Sequence, residues 1–257
     1  MTGIHPTAVI HSGARLGVGC FVGPYCVIGE RVVLGDRCKL HSHVVIDGHT
    51  TLGAENDIFP FACIGLKTQD LKWAGGVTRC EIGDRNTFRE HVTIHSATAD
   101  GGVTRVGSDN HILAYSHVAH DVQLGSHVIM SNVATLAGHV VVEDHAVVGG
   151  LAAIHQFCRI GKLSMIGGCA KIVQDVPPFM IVDGNPGETR AINKVGLDRA
   201  GVSDEAQAAL KQAFKILFRS GLTIPNALAK IEKELPPLPE VLHLIAFTRA
   251  SERGLSK

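Results

Sequence analysis

The sequence predicts a mainly-β protein, a parallel β-helix of hexapeptide repeats with a C-terminal α-helical segment, on three observations. A large apolar residue recurs every sixth position, and a smaller one follows four positions later. Across 257 residues the chain combines 45% hydrophobic residues and 29 glycines with only 5% aromatics. A six-residue period fits neither the 3.6 of a helix nor the 2 of a simple strand, so each repeat needs a corner. Three such repeats close a triangular coil whose strands pair with the coils above and below.

The first run is unbroken from Ile4 through Ile10, Leu16, Val22 and Ile28 to Ile64. Ala8, Ala14, Cys20, Cys26 and Cys38 supply its small column, and Gly17, Gly23, Gly29 and Gly35, each directly after a large residue, mark the turns. The beat lapses at Asp70 and Gly76, which makes residues 66–80 (LKTQDLKWAGGVTRC) a loop carrying Lys72 and the single Trp. It resumes at Ile82, Phe88 and Ile94, lapses at Asp100 in a Gly-rich loop over 97–105, and then runs from Val106 to Ile172. Long loops on a rigid scaffold commonly serve binding.

The prism is therefore expected over residues 1–176. Residues 177–257 read as an extended segment, PPFMIVDGNPGE, followed by helices over 203–218, 223–235 and 239–250. Ser203 caps the first, with Asp204 and Glu205 in its first turn, and PPLP separates the last two. These helices lack the apolar surface for an independent core and are expected to cap the prism and contact partner subunits.

Charge excludes more than it suggests. Twenty-four basic and 24 acidic residues balance to zero, which argues against nucleic-acid binding. No leader-like N-terminus and no run approaching about 18 apolar residues is present, so a cytoplasmic protein without a membrane span is expected. Seven cysteines, an odd number without a CxxC pair, read as reduced and buried thiols.

The chemistry points to histidine. Fifteen are present, and His91, His95, His111, His117, His120, His127, His139, His145 and His155 fall in the later coils. His117 and His120 flank the inward Val118, and His120 precedes Asp121; a carboxylate beside an imidazole fixes its tautomer and keeps it basic. The same residues also read as a polar turn surface. The HxxH spacing would need a third ligand before it made a metal site. No GxSxG motif, Cys-His pairing or P-loop is present, which leaves direct attack by a substrate aided by a base. Lys72 and Arg199 read either as phosphate-binding point charges or as solvated side chains.

At AYSHVAHD, followed by TLAGHV, IHQFC, IGGCA and QDVPPFMIVDGNP, the chain resembles the UDP-N-acetylglucosamine O-acyltransferase family, whose reaction begins lipid A synthesis. IGDRN, VTIH, VGSDN, QDLKWAG and the closing RGL stand in family order, so the resemblance runs nearly end to end. It implies left-handed winding and a homotrimer with active sites between neighbouring prisms, needing neither metal nor cofactor. It also implies transfer of an (R)-3-hydroxyacyl chain from acyl carrier protein to the 3-hydroxyl of UDP-N-acetylglucosamine. His120 matches the general base, Asp121 its orienting carboxylate and Gly138 the oxyanion donor. Gln69, Asp70, Lys72, His95, His117, His139, His155 and Gln156 match substrate contacts, and Asn193 and Arg199 the uridine and phosphate end. Gly168, with Met165 nearby, falls where the family sets acyl length.

Two positions depart from the family pattern, Gly76-Val77 where Glu-Pro is usual and Ser96 where Arg is usual, and they bear on loop stiffness and acceptor contacts. Competing readings are another hexapeptide acyltransferase, either one with a 3-amino sugar acceptor or the N-acyltransferase acting later in the same pathway, whose family normally carries a further N-terminal domain, and a zinc carbonic anhydrase on the same prism. A purely structural β-helix would show a repeated outward residue such as a Thr ladder, which this sequence lacks.

Overall fold

Each hexad contributes a two-residue strand and a corner, as at Val27–Ile28, Val33–Leu34 and Lys39–Leu40. The computed structural model describes residues 3–257, so the first two residues of the expected prism lie outside it. The strands stack into three sheets of 11, 9 and 8 strands. Nearly every strand pairs in parallel with the strand one coil away, as Val27 does with Val45. The architecture is a left-handed parallel β-helix with helices at its C-terminal end.

The large column from Val22, Ile28 and Leu34 up to Ile172 forms one continuous buried core. Its beginning is frayed: Ile4 is 58% exposed, and Ile10 and Leu16 are only partly buried. They stand in the first described coil, which pairs with the coil that follows it. The second inward column is not entirely small and apolar. Asn56, Asn86 and Asn110 occupy it as a buried ladder, with Asn86 Nδ2 donating to Asn56 Oδ1 at 3.0 Å and Asn110 Nδ2 to Asn86 Oδ1 at 2.9 Å. Each amide thereby satisfies the next, which is the condition for burying a polar side chain.

The glycines after the large residues do not make the turns as expected. Their task is close approach: a Cβ on Gly35 would lie 2.5 Å from the carbonyl carbon of Gly53 in the next coil. The left-handed backbone falls two residues later, on non-glycine corners such as Tyr25 (φ 59°), Asp121 (φ 62°) and His139 (φ 60°). Such conformations are uncommon outside glycine, and here the stacked coils enforce them.

The two interruptions of the beat keep the prism in phase. Cys63 pairs with Thr93 and Asp57 with Thr87, an offset of 30 residues, while Thr93 pairs with His117 at an offset of 24. An ordinary coil takes 18. Both insertions are thus whole numbers of hexads, and every side chain beyond them keeps its face. Of the departures from the family pattern, Gly76 and Val77 sit in the first of these loops and Ser96 stands just before the second. Val77 N–H donates to Asp100 Oδ1 at 2.7 Å, a bond a proline could not make, and Gly76, at φ 105°, packs so closely on Asp100 that a Cβ would collide with it. Ser96 is buried and donates from Oγ to the Leu66 carbonyl at 3.2 Å.

Past the last coil the chain forms an antiparallel pair, Met180–Asp183 with Glu188–Ile192. Helices follow: α1 (Lys194–Arg199), α2 (Asp204–Arg219), α3 (Ile224–Glu234) and α4 (Pro239–Arg249). The pair and α1 were not anticipated. Ser203 caps α2, its Oγ accepting from Ala206 N–H at 3.2 Å. The helices share an apolar cluster in which Leu210, Leu217, Ile231 and Leu244 pack with Leu163 of the prism and with Phe179 and Met180 just past it, so they cap the prism rather than form a core of their own. Asp175 ties the tail back, accepting from Arg159 N–H at 2.8 Å and Ser251 Oγ at 2.7 Å. All seven cysteines are free, but Cys63 is only half-buried and Cys169, on an outward corner, is exposed. No helix among the described residues is long and apolar enough to cross a membrane.

Candidate active site

His120 and Asp121 lie on one corner of the prism, between the strands His117–Val118 and Gln123–Leu124. His120 Nδ1 lies 2.9 Å from Asp121 Oδ2, and both side chains are nearly buried, 14% and 13% exposed. Asp121 is itself held: its Oδ2 accepts from Thr98 N–H at 3.1 Å, and its own N–H donates to Thr104 Oγ1 at 2.8 Å. With Nδ1 donating to the carboxylate, His120 presents the Nε2 lone pair to the cleft. Asp70 Oδ2 faces that nitrogen at 3.8 Å, while Asp70 Oδ1 accepts from Lys72 N–H at 2.9 Å and shapes the loop.

The cleft, of about 600 Å³, brings together the loop residues Gln69, Asp70 and Lys72 with His95, His117 and His120 and, from the next coils, Gly138 and Gln156. Gly138, one coil further on, passes directly against the base: a Cβ there would lie 2.5 Å from His120 Nε2. Among the described residues its N–H donates to no backbone carbonyl. His139 adjoins on the Asp121 side, its Nε2 3.7 Å from Asp121 Oδ2 and its ring edge-on to His120 with centroids 5.3 Å apart. His155 is exposed, with Nδ1 3.1 Å from the Gln156 carbonyl oxygen.

His117 and His95 are the electrostatically perturbed members. Burial, then the neighbouring His95 and His120, push His117 down to about 4, and burial, then His120, lowers His95. Thr93 Oγ1 lies 2.7 Å from His117 Nδ1 and holds that ring edge-on to His95. Both histidines are neutral in the folded protein at pH 7, whereas in the unfolded chain His117 regains a proton near its ordinary 6.5. Between those two values the unfolded state binds more protons, so stability present above pH 6.5 is lost as the pH falls toward 4. The urea midpoint at fixed protein concentration is therefore expected to drop between pH 7 and 5, and to drop less in His117→Gln. An equal drop in both proteins would remove His117 as a source.

Asn193 and Arg199 are not in this cleft. They line another, of about 690 Å³, with Lys162, His127 and His145 where the prism meets the helices. Asn193 is buried and structurally engaged: it caps α1 by accepting from Gly196 N–H at 3.1 Å and donates to the Leu163 carbonyl at 2.8 Å. Gly168 and Met165 belong to a later coil; a Cβ on Gly168 would meet only the Gly150 carbonyl oxygen, at 3.4 Å. The fold does not require glycine there.

Sequence reasoning missed Thr93, Thr98 and Phe157, the last stacked on His139 with centroids 4.6 Å apart and planes within 8°. The signal for Phe157 was available. Asp121, His139 and Phe157 are spaced 18 residues apart, one coil each, and share a corner.

LpxA from Acinetobacter baumannii is 43% identical to the chain, covers 99% of each and superposes with a TM-score of 0.96. The chain belongs to the UDP-N-acetylglucosamine O-acyltransferase family. Two further members support this: the UDP-N-acetylglucosamine acyltransferase of Bacteroides fragilis (39% identity, 99% and 100% coverage, TM-score 0.97) and that of Arabidopsis (35%, 99% and 100%, TM-score 0.89). The model for domain 2 of UDP-N-acetylglucosamine O-acyltransferase matches residues 175–256, and the bacterial transferase hexapeptide model matches residues 13–48. As a member of that family the chain is an acyltransferase.

Proposed function

We propose that this acyltransferase moves an (R)-3-hydroxyacyl chain from acyl carrier protein to the 3-hydroxyl of UDP-N-acetylglucosamine, as a cytoplasmic homotrimer. The observation that carries the mechanism is the His120–Asp121 pair, with Nδ1 engaged by the carboxylate and Nε2 facing the cleft. Nε2 takes the proton of the sugar hydroxyl as its oxygen attacks the thioester carbonyl carbon. The C–S bond then breaks, and the departing thiolate recovers the proton from the imidazolium, leaving the ester and the free carrier thiol. The Gly138 N–H supports the oxyanion formed between these steps. Asp70 and Lys72, with Gln69, His95 and His117, hold the sugar and phosphate side, Gln156 lines the cleft from a later coil, and His139 and His155 contact substrate from beside that lining.

Asn193 and Arg199 fit a split site. They lie in a separate cleft of the same chain, which suits a trimer in which one subunit supplies the base and its neighbour the nucleotide contacts.

The test is transfer from a panel of 3-hydroxyacyl carrier proteins to UDP-N-acetylglucosamine. Ester formation is expected, with one chain length preferred; failure with every donor overturns the substrate assignment and sends attention to a 3-amino sugar. Gly168→Met, which the backbone accommodates, is expected to move the preference toward shorter donors. An unchanged profile would take Gly168 and its neighbour Met165 out of chain-length selection.

A further inference from the structure

The corner that carries the base also brings three metal-ligating side chains together. His120, Asp121 and His139 offer atoms that all lie within 4.8 Å of one another. Two of the separations are 2.9 Å, from His120 Nδ1 to Asp121 Oδ2, and 3.7 Å, from His139 Nε2 to the same oxygen. A tetrahedral ion with bonds of about 2.0–2.1 Å needs ligand-to-ligand separations of roughly 3.3 Å, and these two values bracket that distance. Two imidazoles and one carboxylate suit zinc and its transition-metal neighbours rather than calcium or magnesium.

Two of the three ligands, Asp121 and His139, are also held in place by their surroundings. Thr98 N–H bonds the Asp121 carboxylate, Phe157 stacks on the His139 ring, and the backbone of both corner residues is fixed by the stacked coils. Supporting groups of this kind fix ligand direction and raise affinity. His139 is 41% exposed, which leaves a path for an ion and an open fourth position.

We infer that His120, Asp121 and His139 form a site for a divalent transition-metal ion, zinc by donor type, and that its occupation switches the acyltransferase off. Coordination would use the Nδ1 lone pair of His120, so the ring proton must move from Nδ1 to Nε2 through solvent. The ring stays neutral, but Nε2 becomes a donor where the reaction needs an acceptor. Asp121 is drawn into the ion's coordination shell at the same time. The loss of activity rests on His120 being the base; the binding of the ion does not.

Chelator-treated, metal-free trimer is titrated with Co²⁺ without substrate, followed by its visible spectrum. An equimolar end point with the intense bands of tetrahedral Co²⁺, reversed by chelator, is expected. Zn²⁺ is expected to displace it and to abolish acyl transfer in parallel, with recovery on chelation. His139→Gln and Asp121→Asn, each checked for fold by circular dichroism and for assembly by size, are expected to raise the Co²⁺ concentration needed by at least about tenfold. Only the pale octahedral spectrum with wild type, or unaltered end points in both variants, overturns the site. If cobalt binds as expected while zinc leaves acyl transfer intact, the switch is overturned, and His120→Ala, which loses turnover only if His120 is the base, tells that failure apart from failure of the base assignment.

Discussion

His120→Ala is expected to lower kcat by about 10²–10⁴-fold, the range for loss of a positioned general base. The ring has one nitrogen against Asp121 and the other facing the cleft, so no second side chain takes its place: His117 is neutral and depressed to about 4, and its Nδ1 is engaged by Thr93. The scaffold does not depend on the imidazole. The inward residues on either side, Val118 and Val122, are fully buried and hold the coil whatever stands between them. The loss should therefore appear in kcat with the circular dichroism spectrum and Tm near those of the parent. Turnover close to wild type would falsify the assignment of His120.

What could be read beforehand follows from where the physical information lies. The hexad beat is a packing requirement repeated every coil, so one glance along the chain finds it, and insertions that are whole hexads do not disturb it. His120 and Asp121 were legible because they are neighbours in sequence and share a corner. Thr93 and Thr98 were not, since each reaches the site from one coil below and carries no distinctive residue type. The glycines misled for a related reason: the crowding that demands them comes from the next coil, 18 residues on, and not from their own turn. The six residues of α1 are too few to show a period, and the strand pair after Phe179 was hidden because it is held against partners remote in sequence, Ile181 pairing with Met165. Thr189 Oγ1, for example, donates to the carbonyl of Ser256. Asn193 looked like a ligand contact from resemblance, and the structure adds a duty as helix cap that no spacing rule revealed.

Gly138→Ala is expected to lower kcat by about 10²-fold, the cost of misplacing a reacting group by about 1 Å, although it leaves the oxyanion N–H in place. The reason is steric. The new methyl would lie 2.5 Å from His120 Nε2, so the base must swing away from the position its hydrogen bond to Asp121 dictates. The backbone itself does not object, because Gly138 is not among the glycines at positive φ, and alanine there needs no strained conformation. Loss of turnover without a matching fall in Tm is accordingly the expected signature. A double variant separates the two roles assigned to this position. If the methyl acts through the imidazole, adding Gly138→Ala to His120→Ala costs little more, because the group it displaces is already gone and effects within one unit are not additive. If the losses instead multiply, position 138 acts on the reacting carbonyl through its own backbone, and the steric account of its glycine is wrong.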